Sequence, residues 1–358
     1  MGNIGKNALT VFGSVLFTLL LVEVALRFLP VNEGLWAQPV NESSPVMHFA
    51  PDRTSTWSRF ADFSMVNTVH ANNYGFLNDQ DYDPQAGQPL IAFIGDSYVE
   101  AAMVPYGQTV HGRLARELEG SWLVYSFGVS GAPLSQYLAM ARFVRDEFAP
   151  ERLYIIVVGN DFDESLLKYK SLPGLHYFDE DGDSLRLVRR DYSPSLALRI
   201  ARHSRLFMYL MTNVQITHAL SDLFAPPQAA RLQGNTDAST DAQRVDDSIR
   251  ATDAFLAMLP QAAGLDPKDI CLIVDAVRPD VYAAETPSDG YFSWMRDHLL
   301  ASAQAGGFRT IDLHPVFRQD FIRDGIPFEY PRDGHWSGHG HAACAREILR
   351  DGIAPRAP

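Results

Sequence analysis

The apolar positions of the chain fall into two kinds of pattern. Asn7 to Val22 carries no charge and is dominated by Leu, Val, Phe and small residues, and it continues through Val24, Ala25, Leu26, Phe28 and Leu29 past Glu23 and Arg27. This run approaches the roughly 20 residues that cross a bilayer core. A buried core helix is the competing reading. A cleaved signal peptide has a shorter apolar centre and a small-residue exit, which Pro30-Val31-Asn32-Glu33 does not supply. Residues 1–30 are therefore expected to form an uncleaved signal anchor, a transmembrane helix. Lys6 and the terminal amine, set against Arg27 and Arg53, favour a cytoplasmic N-terminus. That orientation places the remainder in the periplasm or outside the cell.

Residues 31–88 are rich in Asn, Asp, Pro and aromatics without sustained periodicity, and read as an irregular lead-in. From Pro89 the second pattern begins. Leu90-Ile91-Ala92-Phe93-Ile94 is a continuous apolar run ended by Gly95, as expected for a parallel strand covered on both faces. Val110, Leu114 and Leu118 recur at helical spacing, and a second strand is expected at Trp122 to Phe127. Pro133 opens a helix striped by Leu134, Leu138, Ala141, Val144 and Phe148, followed by a strand from Leu153 to Val158. After Asp161 the alternation pauses. A hairpin-like stretch (His176 to Gly182), an apolar helix-like run (Leu206 to Leu220) and a flexible surface segment (Ala225 to Asp247) suggest an insertion over about 165–247. The pattern resumes with a helix near Ser248 to Leu259, a strand at Ile270 to Val274, a helix around Tyr291 to Ala305, a strand at Thr310 to Leu313 and a last helix after Ser337. Strand and helix in alternation predict an α/β fold with a central parallel sheet.

The chain of 358 residues is 46% hydrophobic and large enough for a full core. Its 43 acidic against 30 basic side chains, a formal charge of -13, disfavour nucleic acid and anionic surfaces as electrostatic partners. Only two cysteines occur, so neither a disulfide framework nor a thiolate zinc site is written here. Cys271 in an apolar run and Cys344 in the last helical pattern read as buried thiols, with a bridge between them left open.

Ligands of an open parallel sheet bind beyond the carboxyl ends of the strands. Three such ends carry Gly95-Asp96-Ser97, Gly128-Val129-Ser130-Gly131 and Gly159-Asn160-Asp161. A serine between a strand and a helix can expose its hydroxyl while its own N–H faces a developing oxyanion. Gly131 would let a second N–H approach, and the Asn160 amide offers a third donor. Singly, these residues are as easily a helix cap, a turn glycine and a capping asparagine. The base is expected in Asp333-Gly334-His335, before the terminal helix, where a carboxylate can orient the imidazole that takes the serine proton. His335, His339 and His341 also raise a metal site, but only the first two share a helical face and a fourth ligand is not evident.

These blocks resemble the SGNH, or GDSL-type, hydrolases. Gly95-Asp96-Ser97 is similar to the first block with its nucleophile, Gly131 to the second-block glycine, Gly159-Asn160-Asp161 to the third block, and Asp333 with His335 to the acid and base. Asn72-Asn73-Tyr74-Gly75-Phe76 resembles the approach segment of anchored members. The resemblance implies a three-layer α/β/α, flavodoxin-like catalytic domain over 89–358. It also implies catalytic Ser97, Asp333 and His335, and an oxyanion hole of Ser97, Gly131 and Asn160, without metal or cofactor. Many members have Asp-x-x-His; the Asp-x-His spacing here is similar to a polysaccharide O-acetylation branch typified by alginate acetyltransferases. The expected activity is hydrolysis of a small ester, an O-acetyl group on a glycan, through an acyl-Ser97 intermediate. Acyl transfer to a carbohydrate hydroxyl is the alternative. The expected partners are an acyl ester or acylated glycan and, through the anchor, the membrane.

Overall fold

The computed structural model describes residues 3–182, 184–217, 241–283 and 290–353. They form two compact units, the larger comprising Ala37–Arg53, His70–Ser193 and Gln228–Pro358.

The larger unit is built on five parallel strands: β1 (Leu90–Gly95), β2 (Leu123–Gly128), β3 (Arg152–Val157), β4 (Ile270–Val274) and β5 (Arg309–Asp312). Their spatial order is β2-β1-β3-β4-β5. This is a flavodoxin-like doubly wound sheet, and its order reverses between β1 and β3. All six residues of β1 are buried, as both faces of a central strand require. Alternate residues of β1 serve different cores. Ala92 and Ile94 join the one closed by the helices Leu134–Phe148, Ala242–Ala263 and Tyr291–Ala305. Ile91 and Phe93 join the one closed by Val110–Glu117, Leu313–Asp324 and Gly338–Arg350. Each fully buried aliphatic side chain contributes about 1.5–3 kcal/mol of transfer free energy, so these two layers hold the sheet rigid. Cys271 and Cys344 are free thiols in the second core, and burial pushes both well above the ordinary range.

Several local features depart from the sequence pattern for identifiable reasons. Leu313 opens a helix and does not close β5, because the Asp312 carboxylate caps the amide of His314 at 2.9 Å. The helix expected near Ser248 begins at Ala242. Asp241 caps it through the Arg244 amide at 2.8 Å, so residues 241–247 are not part of a flexible segment. The rest of that segment, 225–240, lies outside the described residues. The hairpin-like stretch is a hairpin of His176–Asp181 and Ser184–Arg189, with Gly182 at φ +61° in the turn.

The smaller unit comprises Met1–Trp36, Thr54–Val69 and Pro194–Pro227. The helix Asn3–Leu26 contains one span, Gly5–Leu26, with mean hydropathy 2.3, long and apolar enough to cross a membrane and almost wholly uncovered by protein. Within the stretch read as irregular, Arg53–Arg59 and Met65–Ala71 pair as a two-stranded sheet. The strand Arg-Thr-Ser-Thr-Trp-Ser-Arg carries a single large apolar residue, Trp57, so no alternation betrays it. The apolar run from Leu206 is not one helix. Arg205–Met208 passes into a single π turn, Tyr209–Asn213, whose Asn213 side chain bonds the Asn32 amide at 3.1 Å and the Ser58 hydroxyl at 2.9 Å. Residues 218–220 of that run lie outside the described residues.

Candidate active site

The end of β1 and the helix after it position Ser97. Asp96 caps the four-residue helix Ser97–Glu100 by accepting from the Tyr98 amide at 2.9 Å, and Ala101 ends it in the left-handed region at φ 48°. Ser97 is the first helical residue, so its own N–H has no acceptor within the helix. The helix lies directly on the end of β2. A Cβ on Gly128 would stand 2.0 Å from the Glu100 nitrogen, so only glycine permits this approach.

Opposite Ser97, Asp333–Trp336 forms a short strand paired with Glu329–Tyr330. Residues two apart on a strand point the same way, and this brings Asp333 and His335 together despite the short spacing. Asp333 Oδ1 accepts from the His335 amide at 3.0 Å and in a short bond from His335 Nδ1–H. With the proton fixed on Nδ1, Nε2 is an acceptor, and it lies 2.7 Å from Ser97 Oγ. The hydroxyl has a single proton. The Asp96 Oδ2 oxygen, at 3.2 Å, is the more distant competitor for it. Asp333 is buried whereas Ser97 and His335 are half-buried, so the Ser97 hydroxyl can be reached from solvent and the Asp333 carboxylate cannot.

Gly131 and Asn160 follow β2 and β3, the two strands that flank β1. Gly131 adopts φ +74°, and its carbonyl accepts from Lys170 Nζ at 2.8 Å. The Asn160 amide donates one N–H to Glu164 Oε2 at 2.9 Å, leaving the second. Glu164 is itself paired with Lys170. The chain thus gathers its three candidate donors at adjoining strand ends, with the second and third tied through one ion pair.

Sequence reasoning passed over the residues that hold this arrangement. Tyr98 donates to the Gly334 carbonyl at 2.8 Å, and its ring centroid lies 5.1 Å from that of His335. Beyond it, Trp336 Nε1 donates to the buried Asp275 at 2.9 Å, and Asp275 is paired with Arg278 at 2.6 Å. Asp275 directly follows β4, at the strand end the rule examines, but only its contact with Trp336 gives it a role.

Glu100 is also buried beside the site, with its two oxygens accepting from the Ser130 amide and hydroxyl, each at 2.7 Å. Burial is the largest influence on this carboxyl and pushes it from 4.5 up to about 7. The folded chain therefore keeps a proton that the unfolded chain releases between those values, and stability falls as pH rises through this window. Glu100→Gln, which imitates the protonated form, is expected to melt with a shallower decline from pH 5 to pH 8 than the wild type. Thermal unfolding across that range checks this, and parallel curves would contradict it.

The three C-terminal histidines do not converge. His339 stacks on Phe328 with centroids 4.9 Å apart, while the buried His341 accepts from the Val110 amide at 3.2 Å. Among the described residues no group of three or more potential ligands is placed to hold a metal ion. A cavity of about 520 Å³ elsewhere in the larger unit, lined in part by Tyr74, Arg142, His176 and Arg189, includes none of Ser97, Asp333 or His335.

The arrangement is a serine hydroxyl on an imidazole whose other nitrogen is held by a buried carboxylate, at the switch point of a doubly wound sheet. The fold is the one that resemblance to SGNH/GDSL hydrolases implies. No family model and no curated protein matches the chain. Similar solved structures include the acetyl xylan esterase AlAXEase, with 11% identity, coverage of 74% of this chain and 100% of that one, and a TM-score of 0.42. TesA has 11% identity, 73% and 96% coverage and a TM-score of 0.39. A lipolytic protein of the G-D-S-L family from Veillonella parvula has 11% identity, 73% and 96% coverage and a TM-score of 0.36. Likenesses this remote carry no weight beside the strand order and the contacts described above.

Proposed function

We propose that this chain is a serine-dependent acylesterase that acts through an acyl-Ser97 intermediate on a small ester, an O-acetyl group carried by a glycan. The observation that carries the reading is the 2.7 Å contact of Ser97 Oγ with His335 Nε2, whose other nitrogen is held by Asp333. Ser97 Oγ attacks the ester carbonyl carbon as its proton passes to Nε2, and Asp333 stabilises the imidazolium that results. The oxyanion of the tetrahedral intermediate is met by the N–H groups of Ser97 and Gly131 and by the second N–H of Asn160. Collapse breaks the bond to the sugar oxygen, which leaves with the proton from Nε2. Water then attacks the acyl-enzyme, giving its proton to Nε2, and the carboxylic acid departs as Ser97 recovers its hydrogen. No step requires a metal or cofactor.

Removing one oxyanion donor typically costs about 10²–10³ in kcat. Asn160→Ala is expected to lose that much with KM little changed. Steady-state kinetics on an activated acetate ester measures it, and an unchanged kcat would remove Asn160 from the hole.

The Asp333-Gly334-His335 spacing, similar to that of the polysaccharide O-acetylation branch, supports a second reading in which a sugar hydroxyl replaces water. The same residues serve both. Incubation with an isotopically labelled acyl donor, with and without glycan, separates them by product mass. Free labelled acid formed without glycan is the result expected for the esterase. Donor loss only in the presence of glycan would make the enzyme a transferase.

The apolar helix Gly5–Leu26 is read as a membrane anchor, with the catalytic unit in the periplasm or outside the cell. The positive charge of Lys6 ahead of the apolar run supports that orientation.

A further inference from the structure

Glu23 is a charge near the end of an otherwise apolar helix, and the smaller unit gives the reason for it. Its carboxylate accepts from the Ser204 hydroxyl and the Leu206 amide, each at 2.8 Å, and from the Arg205 amide and Arg27, each at 3.0 Å. The end of the anchor is thereby tied to the helix Arg205–Met208 and to the segment just before it. The helix Leu196–Ala201 ends three residues before Ser204. Leu196 and Ile200 lie one helical turn apart on a shared face and are 69% and 65% exposed, and Leu198 is exposed beside them. Apolar side chains gathered and exposed on one short helix mark an interaction surface. Arg199 lies among these residues, and Arg202 stands 3.9 Å over the ring of Trp36. Phe28, just past the anchor, is 84% exposed.

We infer that Leu196–Ala201 is an interfacial membrane segment, seated in the headgroup region of the bilayer that holds the anchor. The inference rests on the anchor reading. The bilayer is the indicated occupant because the Glu23 contacts hold Ser204, three residues past this helix, at the end of the membrane-spanning one. The surroundings are also of interfacial type. Apolar side chains enter the acyl boundary, the exposed Arg199 faces phosphates, and Trp36 lies at the level where amphipathic rings collect.

The test uses the full-length chain in phosphatidylcholine and phosphatidylglycerol nanodiscs. Single cysteines replace Ile200, Val15 in the anchor and Lys268 in the larger unit, each carrying an environment-sensitive fluorophore. Cys271 and Cys344 are buried and stay unlabelled. Ile200 and Lys268 are exposed, so the fold tolerates the change. The Ile200→Cys probe is expected to lose most of its emission to lipid spin-labelled near the headgroup, the Val15→Cys probe to lipid labelled deep in the chain, and the Lys268→Cys probe to neither. Quenching at position 15 without quenching at 200 overturns the interfacial inference and leaves the anchor intact. Absence of quenching at both overturns the two together. A probe at 200 shielded from aqueous iodide but not quenched by lipid overturns the inference in favour of a second copy of the chain on this face.

Discussion

Replacing Ser97 by alanine is expected to lower turnover of an activated acetate ester by about 10⁴-fold or more, with melting temperature nearly unchanged. The loss is large because Ser97 Oγ is the hydroxyl that His335 Nε2 contacts, and removal of one member of a triad leaves only the oxyanion donors and binding. Stability is spared because the hydroxyl is half-buried and its partner Nε2 can take a water in its place. Initial rates of purified wild type and variant, matched by circular dichroism, measure the effect. Residual activity within a factor of about ten of the wild type would mean that another group attacks the ester.

Asp333→Asn is expected to follow, with kcat reduced on the order of 10³–10⁴-fold and KM little altered. One carboxylate oxygen accepts from both the His335 amide and Nδ1–H, which fixes the ring and its tautomer. An asparagine retains the size but supplies no charge to the imidazolium, and its NH₂ can turn toward Nδ1 and shift the proton to Nε2, where it blocks acceptance from Ser97. Asp96 lies next to Ser97, but one of its oxygens caps the Tyr98 amide and the other lies 3.2 Å from Ser97 Oγ, whereas it is Asp333 that holds Nδ1. A kcat within about ten-fold of the wild type would move the orienting role elsewhere.

The sheet was legible in the sequence wherever a strand is buried on both faces. Leu90-Ile91-Ala92-Phe93-Ile94 and Ile270-Cys271-Leu272-Ile273-Val274 admit few other structures. The strand Arg53–Arg59 escaped notice because its partner supplies backbone hydrogen bonds and little apolar cover. The helix Ala242–Ala263 was read too short because a capping aspartate inside a polar stretch looks like more of the loop. Ser97, Gly131, Asn160, Asp333 and His335 could be singled out because each lies at an element end in a short local pattern. What the sequence does not reveal is the support behind them. Asp275 and Arg278 become meaningful only when the fold brings Trp336 and Glu329 to them, at 2.9 Å and 3.0 Å respectively. Glu100 gains its raised value chiefly from burial against β2, which only the folded chain supplies.

The central claim is that Ser97 is the nucleophile. A fluorophosphonate probe forms a stable bond only with an activated hydroxyl, and the labelled residue can be located by mass spectrometry of the digested chain. The wild type is expected to gain one phosphonyl group on the peptide containing Ser97, and Ser97→Ala to gain none. Labelling that persists in Ser97→Ala, or an adduct on a different peptide of the wild type, would contradict the account.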